Sequence, residues 1–262
     1  MGIIDVFLYN GEEVPLDLHL NVLRPYVNKF IIIEADETFK GEKKELVFPK
    51  EKYADFPIEY HVLTDIMGDK ELVEQAYNSP LTGNKEVQWM REFYFKESIK
   101  RYLSDLDNED MVFIGDCDEI WDVNALKKGK LWGDYDTNIL KLKLKVYNYY
   151  LNNRSDEPFW GTIAGKYKNI KNRSLNDLRA NAQKSQFEYG WHFSYQGGLD
   201  KIIQKFRSSF IETAWGIPLE ELLRRIENNK DLLGRNFNYW QDENEWPEYL
   251  KKNKHKYLYL CK

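Results

Sequence analysis

The sequence predicts an α/β protein with a mixed, mainly parallel central sheet flanked by helices. Three observations predict it. The first 35 residues read strand, helix, strand; Met111–Gly115 is a compact apolar run ending in Asp116; and residues 138–150 alternate apolar and basic side chains. Parallel strands need a crossover between them, and a helix between two apolar runs supplies one.

Ile3 to Leu8 is a short apolar run closed by Asn10-Gly11, the pattern of a buried strand and its turn. Leu16, Leu20, Leu23 and Val27 recur at helical spacing and predict an amphipathic helix over residues 16–27. Phe30 to Ile33 is the second strand, stopped by Glu34-Ala35-Asp36. Residues 36–57 are polar, with Gly41 and two prolines, and read as a long loop. Ile58 to Leu63 is a third strand. Residues 64–84 mix acids with Asn78, Pro80 and Gly83 and read as an exposed connection. Lys85 to Leu103 is a helix with Phe95, Ile99 and Tyr102 on one face. In residues 138–150, Leu140, Leu142, Leu144 and Val146 face one way and Lys141, Lys143 and Lys145 the other, as in a half-exposed strand. Helices follow at 199–206 and 219–232. With no repeat, low-complexity tract or linker, one domain is expected over residues 1–262.

Composition excludes several classes. A net charge of −5 argues against nucleic-acid binding, which calls for a concentrated basic surface. Two cysteines, Cys117 and Cys261, allow neither a disulfide framework nor a cysteine zinc site, and fit a reducing compartment. No stretch reaches the roughly 20 apolar residues that span a bilayer. The first residues lack the basic and apolar regions of a signal peptide. A cytoplasmic protein is the expectation; nothing in the sequence fixes its oligomeric state.

The chemistry concentrates at Asp116-Cys117-Asp118-Glu119, beyond a buried strand. In open α/β sheets, ligands sit outside the carboxyl ends of the strands. Residues i and i+2 of an extended segment project to one side, so Asp116 and Asp118 can offer two carboxylates to one hard cation. A metal bridging two phosphates neutralises charge on a departing diphosphate. Acidic pairs also cap turns, so the motif needs company.

That company is a set of stretches in order along the chain: Asp5-Val-Phe-Leu-Tyr-Asn10, Phe30-Ile-Ile-Ile-Glu34-Ala-Asp36-Glu-Thr38-Phe-Lys-Gly41, Gly115-Asp-Cys-Asp-Glu-Ile120, Gly190-Trp-His-Phe-Ser-Tyr195 and Pro247-Glu-Tyr-Leu-Lys-Lys-Asn253. Together they resemble glycosyltransferase family 17, the group that includes the bisecting β-1,4-mannosyl-glycoprotein N-acetylglucosaminyltransferase. The resemblance implies a GT-A-type, Rossmann-like fold and an inverting transfer from a UDP-sugar, UDP-N-acetylglucosamine first, to a glycan acceptor. Mn²⁺ or Mg²⁺ is the implied metal. Residues 1–122 would form the nucleotide and metal half, and 123–262 the acceptor half. Inversion is a single displacement, with one carboxylate deprotonating the acceptor hydroxyl.

The same resemblance makes His192 a third metal ligand beside Asp116 and Asp118, against the alternative of a structural histidine. Glu34, Asp36 and Thr38 border the expected nucleotide pocket; a solvated loop is the bland alternative. Arg91 can pair with a diphosphate through its forked donors, or with a surface carboxylate. Lys201, Lys205 and Arg207 are further phosphate partners, or a charged helix face. Phe159-Trp160-Gly161-Thr162 can wall a sugar, an aromatic face meeting a pyranose beside a glycine. Glu119 and Glu188 are candidates for the base, with Asp156, Glu157 and Glu212 behind them. Where the family carries a His-Thr-Glu-like segment, this chain has Glu212-Thr213-Ala214, a departure that leaves that loop's role open. Two rival readings are a haloacid-dehalogenase-like phosphatase, which also follows an apolar strand with Asp-x-Asp, and a non-catalytic sugar-binding module. Against the phosphatase, the motif comes late and Ile120 follows it.

Overall fold

A computed structural model describes residues 1–78, 87–126, 138–208 and 216–262. Strand β1 (Ile3–Tyr9) leads through helix α1 (Glu13–Leu23) to β2 (Lys29–Ala35), and β3 (Ile58–Leu63) follows. The expected βαβ unit is present, with β1 parallel to β2 and β2 parallel to β3. Helix α1 ends before Val27 because Pro25 has no N–H with which to continue the helical hydrogen-bond ladder after Arg24.

The connection at 64–84 is more ordered than its composition suggests. Helix α2 (Lys70–Tyr77) lies within it, capped by Asp69, whose side chain accepts from the Glu71 and Leu72 amides. Helix α3 (Val87–Ser98) runs into a short 3₁₀ turn and β4 (Met111–Asp116). Strand β4 pairs parallel with β1, completing a four-stranded block. Phe30, Ile31, Ile32 and Ile33 are all fully buried, as expected where both sheet faces are covered.

The later strands are β5 (Glu119–Trp121), β6 (Leu140–Asn148), β7 (Asn153–Lys166), β8 (Gln183–Ser194) and β9 (Tyr239–Gln241). The sheet order is β3-β2-β1-β4-β7-β6-β8-β5, with β9 on β7. Leu140, Leu142 and Leu144 are buried and Lys141, Lys143 and Lys145 partly exposed, as the alternation predicts. Sequence reading missed β7, β8, the short helix α4 (Tyr167–Ile170) and helix α5 (Leu175–Asn181). Strand β7 carries Asp156-Glu157-Pro158, which reads as a turn, and its pairing with β4, β6 and β9 holds it extended. Helix α6 spans Leu199–Ser208. Helix α7 (Leu219–Glu227) is shorter than expected, because Asn229 turns left-handed at φ 54°.

Strand β5 closes the path at its far end, yet follows β4 directly. From Asp116 to Glu119 the chain can reach only roughly 10 Å. The antiparallel strands therefore curl back, and β5 pairs with β8 so that Glu119 faces His192. A glycine permits the approach: a Cβ on Gly190 would lie 2.3 Å from the Ile120 carbonyl oxygen. One core packs α1 and the C-terminal segment on one face, another packs α2, α3 and α5 on the other. A third, with Ile202, Phe206, Leu222 and Ile226, seats α6 and α7. Among the described residues, no helix is long and apolar enough to cross a membrane.

Candidate active site

Asp116 ends β4 in register with Leu8 of β1, at the carboxyl end of the parallel block. Beyond it the chain turns through Cys117 and Asp118, and the Phe193 amide donates to the Asp118 carbonyl at 2.9 Å. The turn is also held from below. His19 of α1 bonds the Cys117 carbonyl at 2.9 Å and the Asp5 carboxylate at 2.6 Å. Both partners accept, so the ring carries two protons. Burial opposes that charge, but Asp5 and the carbonyl lift His19 above its ordinary pKa. Trp121 donates to the other Asp5 oxygen at 2.8 Å.

The two aspartates have different partners. Asp118 is almost fully buried; Lys205 of α6 donates to its Oδ2 at 2.8 Å, and His192 Nε2 lies 3.5 Å from Oδ1. Burial disfavours the carboxylate, yet Lys205 and His192 outweigh it and hold Asp118 far below the usual range. Asp116 is bound instead by Arg179 of α5 at 3.0 Å, and the same Nη2 reaches Glu119 at 3.1 Å. Burial again opposes ionisation, and Arg179 with Lys96 overcomes it.

Arg179 was not foreseen. Its aim is set by Glu97, a fully buried carboxylate of α3 that accepts from the Leu175 and Asn176 amides at 3.1 and 2.8 Å and from the Ser174 hydroxyl. An acid at a helix start satisfies free amides and favours the helix dipole. Ser174 also accepts from the Asp177 amide, a capping pattern that locates this helix in the sequence. Nothing in the sequence tells that its Arg179 faces Asp116.

Of the two base candidates, Glu119 is enclosed. It is 1% exposed, accepts from Thr162 at 3.1 Å and from Arg179, and fills the space a Cβ on Gly161 would need. Burial raises its pKa, but it is walled from any substrate. Its part is to hold Arg179. Glu188 is half-exposed, donated to by Arg154 at 3.0 Å and lying 3.8 Å from Lys143. It stands four residues before His192 on β8, roughly 13 Å along a strand.

Among the described residues, no group of three His, Cys, Asp or Glu side chains forms a metal cage. Asp118 and His192 nevertheless converge, and His192 Nδ1 is buried without a hydrogen-bond partner. Phe159 stacks on this ring at 4.1 Å between centroids. One carboxylate and one imidazole fit a cation that takes its other ligands from phosphate and water. Asp116 is turned toward Arg179.

A cleft of about 500 Å³ lies beside Lys205, lined by residues 10–15, by Thr38, Lys44, Glu45 and Val47, and by Tyr195, Lys201 and Gln204. It draws on both halves of the chain, and its size suits a nucleotide-sized ligand. Thr38 and Lys201 thus line the cleft, Lys201 also bonded to Glu13 at 3.1 Å. Glu34 does not face the cleft as a free acceptor. It is fully buried and bound by the Val47 and Phe48 amides, Lys44 and Tyr60, so it fixes the loop that lines the cleft. Asp36 pairs with Lys43 at 2.9 Å, its second oxygen buried and unbonded. Arg91 binds Glu37 at 2.5 Å, bracing that loop rather than bonding Asp118 or His192. Trp160 donates to the Ser185 carbonyl at 3.2 Å. Glu212-Thr213-Ala214 lies outside the described residues.

The model for glycosyltransferase family 17 matches residues 2–208. No curated protein matches the chain. Mouse xyloside xylosyltransferase 1, apo form, aligns at 10% identity over 54% of this chain and 52% of that one, with a TM-score of 0.31. The chain thus spans about half the length of that structure. An active-site mutant of LgtC aligns at 10% identity over 74% of this chain and 73% of that one, with a TM-score of 0.35. Likenesses this slight bear on neither substrate nor mechanism.

Proposed function

From the premise that the chain belongs to glycosyltransferase family 17, we propose that it transfers N-acetylglucosamine from a UDP donor to a glycan hydroxyl, with inversion and with Mn²⁺ or Mg²⁺. The family assignment displaces the phosphatase reading, and the mixed sheet has the GT-A-type arrangement that the family implies. The observation that carries the proposal is the convergence of Asp118, His192 and Lys205 beside the cleft at the carboxyl end of the parallel strands.

In this reading Asp118 and His192 would hold the cation, with Asp116, bound by Arg179, beside them. Bound there, the metal supplies charge neutralisation to the leaving diphosphate. Lys205 and Lys201 draw the phosphates into the cleft, and Thr38 bonds the ribose or uracil. Residues 1–122 supply most of the donor site, and the later strands form the acceptor side with Trp160. Glu119 is closed off, and of the two leading candidates Glu188 is the one placed to take the acceptor proton as the new glycosidic bond forms and UDP leaves.

Ligand that binds only the folded state raises its stability by mass action, by about 2.7 kcal/mol at a hundredfold excess over Kd. UDP is therefore expected to raise the melting temperature by several degrees when Mn²⁺ is present and not when EDTA replaces it. Asp118→Ala should lose this shift while still melting cooperatively. Full metal-dependent stabilisation by UDP in that variant would remove Asp118 from the site.

A further inference from the structure

The exposed face of the later strands carries cations that the site described above does not use. Strand β6 pairs parallel with β8, and its register sets Lys141 opposite Lys184. Like charges placed opposite in a sheet are destabilising, so this pairing needs a compensating partner. Lys143 and Lys145 have theirs, in Glu188 at 3.8 Å and Glu245 at 3.1 Å. Among the described residues, neither Lys141 nor Lys184 has a carboxylate at ion-pair distance. Glu119, which Lys141 senses, is already bound by Arg179 and Thr162.

Trp160 organises this patch. The Lys184 ammonium sits 4.5 Å from its ring centroid and that of Lys143 5.8 Å, while the indole N–H is anchored on the Ser185 carbonyl. A ring face holds ammonium groups in place without neutralising them. Burial, and then the neighbouring Arg179 and Lys184 cations, pull Lys141 below its ordinary pKa, the response of a cation crowded by its own kind. In a chain of net charge −5 this local excess runs against the whole. The patch also adjoins the centre: Phe159, next to Trp160, stacks on His192, and Gly161 packs against Glu119.

We propose that the acceptor is an anionic glycan, whose charged group seats between Lys141 and Lys184 beside Trp160. This rests on the glycosyl-transfer reading and adds the acceptor's chemical class to it. A neutral glycan leaves the two ammoniums uncompensated. A sugar bearing a carboxylate, sulfate or phosphate relieves their repulsion and gains charge-assisted hydrogen bonds.

The test compares methyl β-D-glucuronide with methyl β-D-glucoside, two small sugars differing in one carboxylate, by calorimetric titration at constant ionic strength. The wild-type protein is expected to bind the glucuronide about tenfold more tightly, the scale of one charged hydrogen bond. In the Lys141→Gln/Lys184→Gln double variant that preference should fall to near one, while the Mn²⁺-dependent stabilisation by UDP stays unchanged. Equal binding of both sugars by the wild type overturns the proposal, as does a preference that survives in the double variant. Inorganic sulfate displacing the glucuronide at equal concentration also overturns it, since the patch would then be a simple anion site. If the glucuronide preference holds but neither protein responds to UDP, the anionic sugar site stands and the donor reading falls.

Discussion

Strands β1, β2 and β4 bury side chains on both faces, whereas β6 buries leucines on one face and turns lysines to the other. The parallel block brings two of its carboxylates, Asp116 and Asp118, to its carboxyl end. The curled antiparallel strands and the helices after them bring His192, Arg179 and Lys205 to meet those acids. The contrast teaches a division of labour. A doubly covered sheet can fix where a strand ends, and the polar groups inside it are bonded to one another and to the turn, as Asp5 is to His19 and Trp121. A sheet with one open face can carry charged groups along its length, at the cost of depending on others for its shape.

The comparison can be broken at three points. The largest effect is expected on the open face. Glu188→Gln should lower kcat by about 10²–10⁴-fold, the usual worth of a positioned base, and leave UDP with Mn²⁺ stabilising the protein as before. Turnover within threefold of wild type would return Glu188 to a structural partner of Arg154. Next comes the doubly covered block. Ile32→Ala removes a fully buried side chain and should cost about 3–4 kcal/mol in urea unfolding, with UDP affinity little changed in the folded fraction. A loss below 1 kcal/mol would mean the block is looser than its burial implies. The smallest effect sits at the junction. Glu97→Ala leaves two amides of α5 unpaired and should cost about 2–3 kcal/mol, with a further loss of activity because Arg179 loses its aim. Unchanged stability would show that α5 is held by packing alone.

Legibility followed the same division. The strand at 58–63 was placed at its observed ends, and β1, β2 and β4 within a residue or two, because apolar runs between turn signals leave few alternatives. Asp116, Asp118 and His192 were singled out, and the fold brings the last two together. Glu34 looked like a pocket residue because it follows a strand; its oxygens proved to be bonded to the loop 44–48 and Tyr60. Arg179 and Glu97 stood in stretches with no motif, and the pairs they form are 63 and 79 residues apart in sequence.

By itself the sequence determined the parallel strands, the acidic tip and the alternation of β6, because periodicity and turn chemistry act between near neighbours. Tertiary structure alone decided which cation faces which carboxylate, that Glu119 is enclosed, and that Lys141 meets Lys184. Those pairings depend on the curl of the sheet and on register between distant strands, and a local pattern carries no record of either.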